Sequence, residues 1–238
     1  AHFDVRVDPV MADLGIQFEG VARGDLDLML MAWLPDTHRG YWERVRNEVV
    51  NLGAFSGGRL GWVVPNYIPR DQLSRIDHLA TPEVARRLGR RIQGIAPGAG
   101  LMRASEEAVD AYGLEALNLV AASGAAMTAV LERAIRERRW VVVTAWRPHW
   151  IFARYDLRFL EDPKGVLGGA QRVHVVARRG FDDAFSPALV AFLARFYLPE
   201  QHMAEMLLAA QSATPAQVVH RYIEAHPKRV RYWVTGAL

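Results

Sequence analysis

Residues 146–150, Trp-Arg-Pro-His-Trp, place two tryptophans, an arginine and a histidine directly after the β-branched run Val141-Val-Val-Thr144. A short apolar run of this kind reads as a buried strand, and the strand is expected to stop at Thr144. Loops at the carboxyl ends of strands are where α/β sheets carry their ligand sites. Two large aromatic faces beside His149 would suit a ligand that is flat-faced, cationic or both. Either tryptophan alone would more commonly fill a core.

Ala32-Trp33-Leu34-Pro35-Asp36-Thr37-His38 repeats the design: a strand, a small residue, a tryptophan, then proline and histidine nearby. Two such loops could face one another across a cleft. Aromatic faces attract a cation by ~0.5–2 kcal/mol per contact, and quaternary ammonium groups are favoured occupants of aromatic cages. Such a cation has no N–H to donate, so little else can hold it. Pro97-Gly98-Ala99-Gly100-Leu101 lies between a strand and a helix. Its glycines allow close backbone approach, and the free N–H groups of a helix start attract an anion. The segment lacks the Gly-Lys-Ser/Thr of a phosphate loop and the third glycine of a dinucleotide fingerprint, so a small carboxylate fits it better than a nucleotide. A plain strand-to-helix turn would look the same. A cation cage beside an anion-binding helix start describes a zwitterion.

The elements that must position these groups alternate along the chain. Asp4–Val7 alternates like a strand, and residues 12–22 spell a short helix closed by Gly24. Leu26–Trp33 is a second strand, residues 38–50 carry helical spacing up to Gly53, and Leu60–Val64 is strand-like. Thr81-Pro82-Glu83 starts a helix. Ile92–Ile95 is a short strand, the next helix carries Ala108 and Tyr112, and Ser123 caps a helix over 124–138 that feeds the Val141 strand. Val173–Ala177 is a further strand, after which Ser186-Pro187, Pro199-Glu200 and Thr214-Pro215 open helices. This alternation predicts an α/β fold with mostly parallel strands. Crossings near 62–68 and 172–178 would divide it into lobe 1, residues 1–65 plus 175–238, and lobe 2, residues 66–174.

Composition excludes several classes. The 238 residues contain no cysteine, which removes disulfides, thiolate metal sites and cysteine nucleophiles. No apolar stretch reaches the ~18–20 residues of a membrane span. The net charge is +3, and the arginines at 86–91 and 133–139 read as solvated helix faces rather than a nucleic-acid surface. The histidines at 2, 38, 174, 202, 220 and 226 show no zinc-site spacing. There is no Gly-x-Ser-x-Gly elbow, and Asp25 and Asp27 read as turn and edge residues. No cofactor, metal site or catalytic set is expected, and an enzyme ranks last.

The chain resembles the glycine betaine-binding proteins of ABC-type osmoprotectant importers. The resemblance rests on Gly24–Asp27, Ala32–His38, Gly61–Pro65, Gly94–Gly100, and above all Thr144–Leu157 continuing through Leu160–Gly165. It covers essentially the whole chain in order. It implies a two-lobed periplasmic-binding-protein fold (type II, Venus-flytrap) that closes on its ligand and presents it to a membrane permease. It further implies that Trp33 and Trp146 are two walls of an aromatic cage between the lobes, with Trp150 packing behind. His149 and the amides of Gly100 and Leu101 would bind the carboxylate. The resemblance places the protein in the periplasm or outside the cell, with or without a membrane anchor.

Nothing here matches the first strand and helix of that family, whose following loop supplies a third cage tryptophan. Phe18, Trp42, Trp62 and Tyr67 are the aromatics that could substitute. A missing strand would expose backbone and invite association with another chain, so an oligomer is a further expectation. The alternative function is a ligand-sensing regulatory module on the same fold, associated with a membrane protein. Arg147 would point to solvent or assist an anionic group.

Overall fold

The computed structural model describes residues 3–237. The chain divides into two compact units, one formed by the residues up to Gly58 with those from Gln171 onward, the other by Arg59–Ala170.

The first stretch holds α1 (Leu14–Arg23), β1 (Leu28–Leu34), α2 (Arg39–Val45) and the start of β2 (Val49–Pro65). Helix α1 buries Phe18 and Val21 and stops where Gly24 turns left-handed at φ 82°, the C-terminal geometry glycine takes at no steric cost. Helix α2 is shorter than the spacing over 38–50 predicts. The β-branched Val49-Val50 pair begins β2 instead, and Gly53 sits inside that strand at φ 115°. Residues 4–10 form neither helix nor strand, contrary to the alternation at Asp4–Val7, and Val5 and Val7 are exposed. Alternation makes a strand only where a sheet edge pairs with it, and among the described residues no strand pairing reaches this segment.

Within the second unit β2 continues to Pro65, followed by a 3-10 turn (Ile76–Ala80), α3 (Pro82–Arg87), β3 (Arg91–Gln93) and α4 (Gly100–Ala111). Then come β4 (Asn118–Val120), α5 (Gly124–Arg136), β5 (Val143–Arg147), α6 (Ile151–Arg154) and β6 (Leu157–Phe159). Pro82 opens α3, and the Ser123 hydroxyl accepts from the Ala126 N–H at 3.1 Å to cap α5. The core gathers around Trp62, Ile68, Ile92 and Val142. The chain returns through β7 (Ala170–Arg178), α7 (Phe181–Ala184), α8 (Pro187–Arg195), α9 (Glu200–Ala209), α10 (Pro215–Ala225) and α11 (Pro227–Thr235).

Strand pairing is mixed rather than mostly parallel. In the first unit β7 runs antiparallel to β1. In the second, β5 and β6 run antiparallel to β2, while β3 pairs in parallel with both β4 and β5. Parallel pairs occur where α4 and α5 supply the crossovers that parallel strands require. Strand β2 is 17 residues long, and β5 and β6 both run back against its second half.

Candidate ligand-binding site

Strand β5 extends past Thr144 to Arg147, so Trp146 and Arg147 belong to the strand and point to opposite faces of the sheet. Trp146 lies opposite Leu60, and Thr144 opposite Trp62, which puts Trp146 and Trp62 on one face. Helix α4 is tied to that face. The fully buried Trp62 donates through Nε1 to Ser105 Oγ at 2.9 Å, and Ser105 Oγ donates onward to the Leu101 carbonyl at 2.7 Å. This relay pins the first turn of α4 against β2, the strand paired with the one that carries Trp146.

That first turn is open to an anion. Its N-cap residue, Ala99, has no side-chain oxygen, so no side chain caps the helix. The Ala99 carbonyl accepts from Met102 and Arg103 at 2.9 and 3.3 Å. Among the described residues the Gly100 and Leu101 amides donate to nothing. Two free donors at the positive end of a 12-residue helix favour a carboxylate.

His149 completes this half. The side chain is buried, and its Nδ1 accepts from the Ile151 N–H at 3.2 Å. The ring proton therefore sits on Nε2. Burial pushes its pKa down to about 4, so the imidazole is a neutral donor at ordinary pH. The ring meets Trp146 edge-on, with centroids 4.6 Å apart at 83°, and Trp150 lies 5.6 Å away. Arg147, on the other face, stacks its guanidinium over Phe152 at 4.4 Å.

In the first unit Trp33 is the penultimate residue of β1 and is 9% exposed. Its six-membered ring lies against Gly58, where an added Cβ would come within 2.5 Å of Cζ3. Glycine inside a strand marks such a close approach, and Gly57-Gly58 is a sequence signal that could have located it. The following loop is fastened at both ends. Trp33 N–H donates to His38 Nδ1 and His38 N–H donates to the Trp33 carbonyl, each at 3.0 Å. Gln171 Oε1 accepts from the amides of Asp36 and Thr37 at 3.2 and 3.3 Å, and its Nε2 donates to Asp36 Oδ2. His38 is thus a fastener of the Trp33 loop. Neither Gln171 nor Ser105 stands out in the sequence.

Of the aromatics considered for a further wall, Phe18 and Trp62 are core residues. Tyr67 spends its hydroxyl on the carbonyls of Arg139 and Ala134, and Trp42 packs on the core of the first unit. Among the described residues no group of three or more His, Asp or Glu side chains could hold a metal ion. No helix among them is long and apolar enough to cross a membrane.

A family profile, OpuAC, described as the substrate binding domain of ABC-type glycine betaine transport systems, matches residues 1–225. The glycine betaine/carnitine transport binding protein GbuC of Listeria monocytogenes is 34% identical over 160 residues, which cover 66% of this chain and 53% of the relative. The matched part thus spans about half the length of that relative. Lactococcal OpuAC, solved in its closed form with glycine betaine, is 33% identical with a TM-score of 0.82 over 94% of this chain and 86% of that one. The glycine/betaine/L-proline-binding protein ProX of Borrelia burgdorferi is 29% identical, with a TM-score of 0.80 over 94% of this chain and 83% of that one.

Proposed function

Because the chain belongs to the family of substrate-binding domains of ABC-type glycine betaine transport systems, we propose that it captures glycine betaine or a related methylated zwitterion and delivers it to an ABC permease. The quaternary ammonium packs on the faces of Trp33 and Trp146. The carboxylate takes the free amides of Gly100 and Leu101 and the Nε2–H of His149. The two compact units act as the two lobes.

The observation that best supports this reading is the placing of Trp146, the neutral His149 and the uncapped start of α4 within one unit. Neutrality of His149 matters at both ends of the ligand. A neutral ring donates to the carboxylate, and it puts no positive charge beside the tryptophan that must receive a cation. Each aromatic wall contributes ~0.5–2 kcal/mol, and hydrogen bonds to a charged oxygen contribute ~1.5–3 kcal/mol each. Both ends are needed for tight binding.

The family is one of transport proteins, not enzymes, and its members act outside the cytoplasmic membrane. The alternative of a ligand-sensing regulatory module draws no support from the relatives found. Calorimetry with glycine betaine, carnitine and choline tests the proposal. Glycine betaine is expected to bind, Trp146→Ala to abolish binding, and His149→Ala to weaken carboxylate ligands more than choline. No heat with any of the three would refute it.

A further inference from the structure

Arg59 and Arg147 sit directly opposite one another on the antiparallel β2–β5 pair, on the sheet face away from Trp146. Like charges directly opposed on a sheet are destabilising. Among the described residues neither guanidinium has an ion-pair or hydrogen-bond partner, and both residues are exposed. Yet both are held in place. Arg59 lies 4.6 Å over the ring of Phe159, and Arg147 lies 4.4 Å over Phe152 and 5.6 Å from Phe159. The two phenylalanines are themselves stacked, 5.2 Å apart at 19°. Gly61 makes room for this arrangement, since a Cβ there would meet Phe159 Cδ1 at 2.7 Å.

We propose that Arg59 and Arg147, presented together on the Phe152–Phe159 platform, form a docking point for carboxylate side chains on the membrane permease. Four observations combine: an uncompensated charge pair, an aromatic support, free donor forks, and the place of Arg147 on β5, the strand that carries Trp146. Seating over aromatic rings restrains the two guanidinium groups before a partner arrives, which lowers the ordering cost of binding. The flat donor forks match carboxylates in bidentate geometry. An exposed pair of this kind holds a small free anion poorly, because salt screens it over ~10 Å or less. A protein partner that buries the pair removes that screening. Because Arg147 adjoins Trp146 in sequence, docking would also sense the strand that carries the ligand.

This inference rests on the transport function proposed above, and the test separates the two. The ABC permease of the same transport system, reconstituted in proteoliposomes, is titrated with the betaine-loaded protein while ATPase activity is followed. The double variant Arg59→Gln/Arg147→Gln is compared with the unaltered protein, and glycine betaine Kd is measured calorimetrically for both. The expected result is an unchanged Kd with a rise of about tenfold in the concentration giving half-maximal stimulation, and a weaker dependence on salt. A variant carrying lysine at both positions, which keeps charge but loses the fork, should fall between the two. Equal stimulation by variant and unaltered protein would overturn the docking proposal. So would a matching loss of betaine affinity, which would put the pair in the ligand site. Permease-free binding to phosphatidylglycerol vesicles that disappears in the double variant would overturn it in favour of a lipid surface. Failure of the unaltered protein to bind betaine would instead sink the function proposed above.

Discussion

His149 offers a test whose size follows from its surroundings. The buried ring has its Nδ1 committed to the Ile151 amide, and its pKa is pushed down from 6.5 to about 4 by burial. In the unfolded chain the same imidazole takes up a proton as pH falls through 6.5, while in the folded protein it stays neutral until about pH 4. Over that window the unfolded state binds more protons, so stability falls as pH falls. The stabilising effect of the neutral ring is complete above pH 6.5 and is lost on the way down to about 4. The full window corresponds to about 3 kcal/mol, of which about 2 kcal/mol has gone by about pH 5. His174 and His202 are also shifted down by burial and add to the same trend, so a difference is required. Urea unfolding of the unaltered protein and of His149→Gln at about pH 7 and about pH 5 isolates the contribution. The unaltered protein should lose about 2 kcal/mol more than the variant. Equal losses would show that His149 is not held neutral. Betaine affinity should stay flat between these pH values, and a steep change would likewise mean that the ring takes up charge in this range.

Gly58→Ala places a methyl group within 2.5 Å of the Trp33 ring, so the ring must shift by about 1 Å to reach ordinary contact. If Trp33 is a cage wall, calorimetry should report a betaine Kd raised by roughly 2- to 30-fold, the equivalent of one lost cation–π contact. An unchanged Kd would remove Trp33 from the cage. Ser105→Ala breaks the relay from Trp62 to Leu101 and leaves the Trp62 Nε1–H buried without a partner. Unfolding should show a loss of ~1–3 kcal/mol. A neutral outcome would mean that the relay does not secure α4.

The parts of the fold governed by local chemistry were legible in the chain. Gly24 ends α1, Thr81-Pro82 opens α3, Ser123 caps α5, and Ser186 and Thr214 cap α8 and α10. Each of these depends on neighbours within a few residues. What depends on distant partners was not legible. Asp4–Val7 has strand alternation but no pairing, and the long β2 was concealed because Gly53, Gly57 and Gly58 look like punctuation. Pairing with Leu60 and Arg59 is what draws Trp146 and Arg147 onto β5 instead of leaving them in a loop.

The candidate site divides the same way. Residue types and spacing pointed to the Trp33 loop, the Trp146–Trp150 segment and the Gly98–Leu101 helix start, and it was the family resemblance that singled out Trp33, Trp146, His149, Gly100 and Leu101. The supporting residues were silent, because Ser105 reads as one more small residue in a helix and Gln171 as one more polar residue at a strand start. Only the folded chain shows that Ser105 fixes the helix start on the Trp146 face and that Gln171 holds the Trp33 loop.

A crystal structure of the protein grown with glycine betaine tests the central claim most directly. The carboxylate should lie within about 2.7–3.2 Å of the Gly100 and Leu101 nitrogens and of His149 Nε2. The trimethylammonium should sit within about 6 Å of the Trp146 ring centroid, with Trp33 against it. A carboxylate bound elsewhere, with the first turn of α4 left to water, would contradict the account.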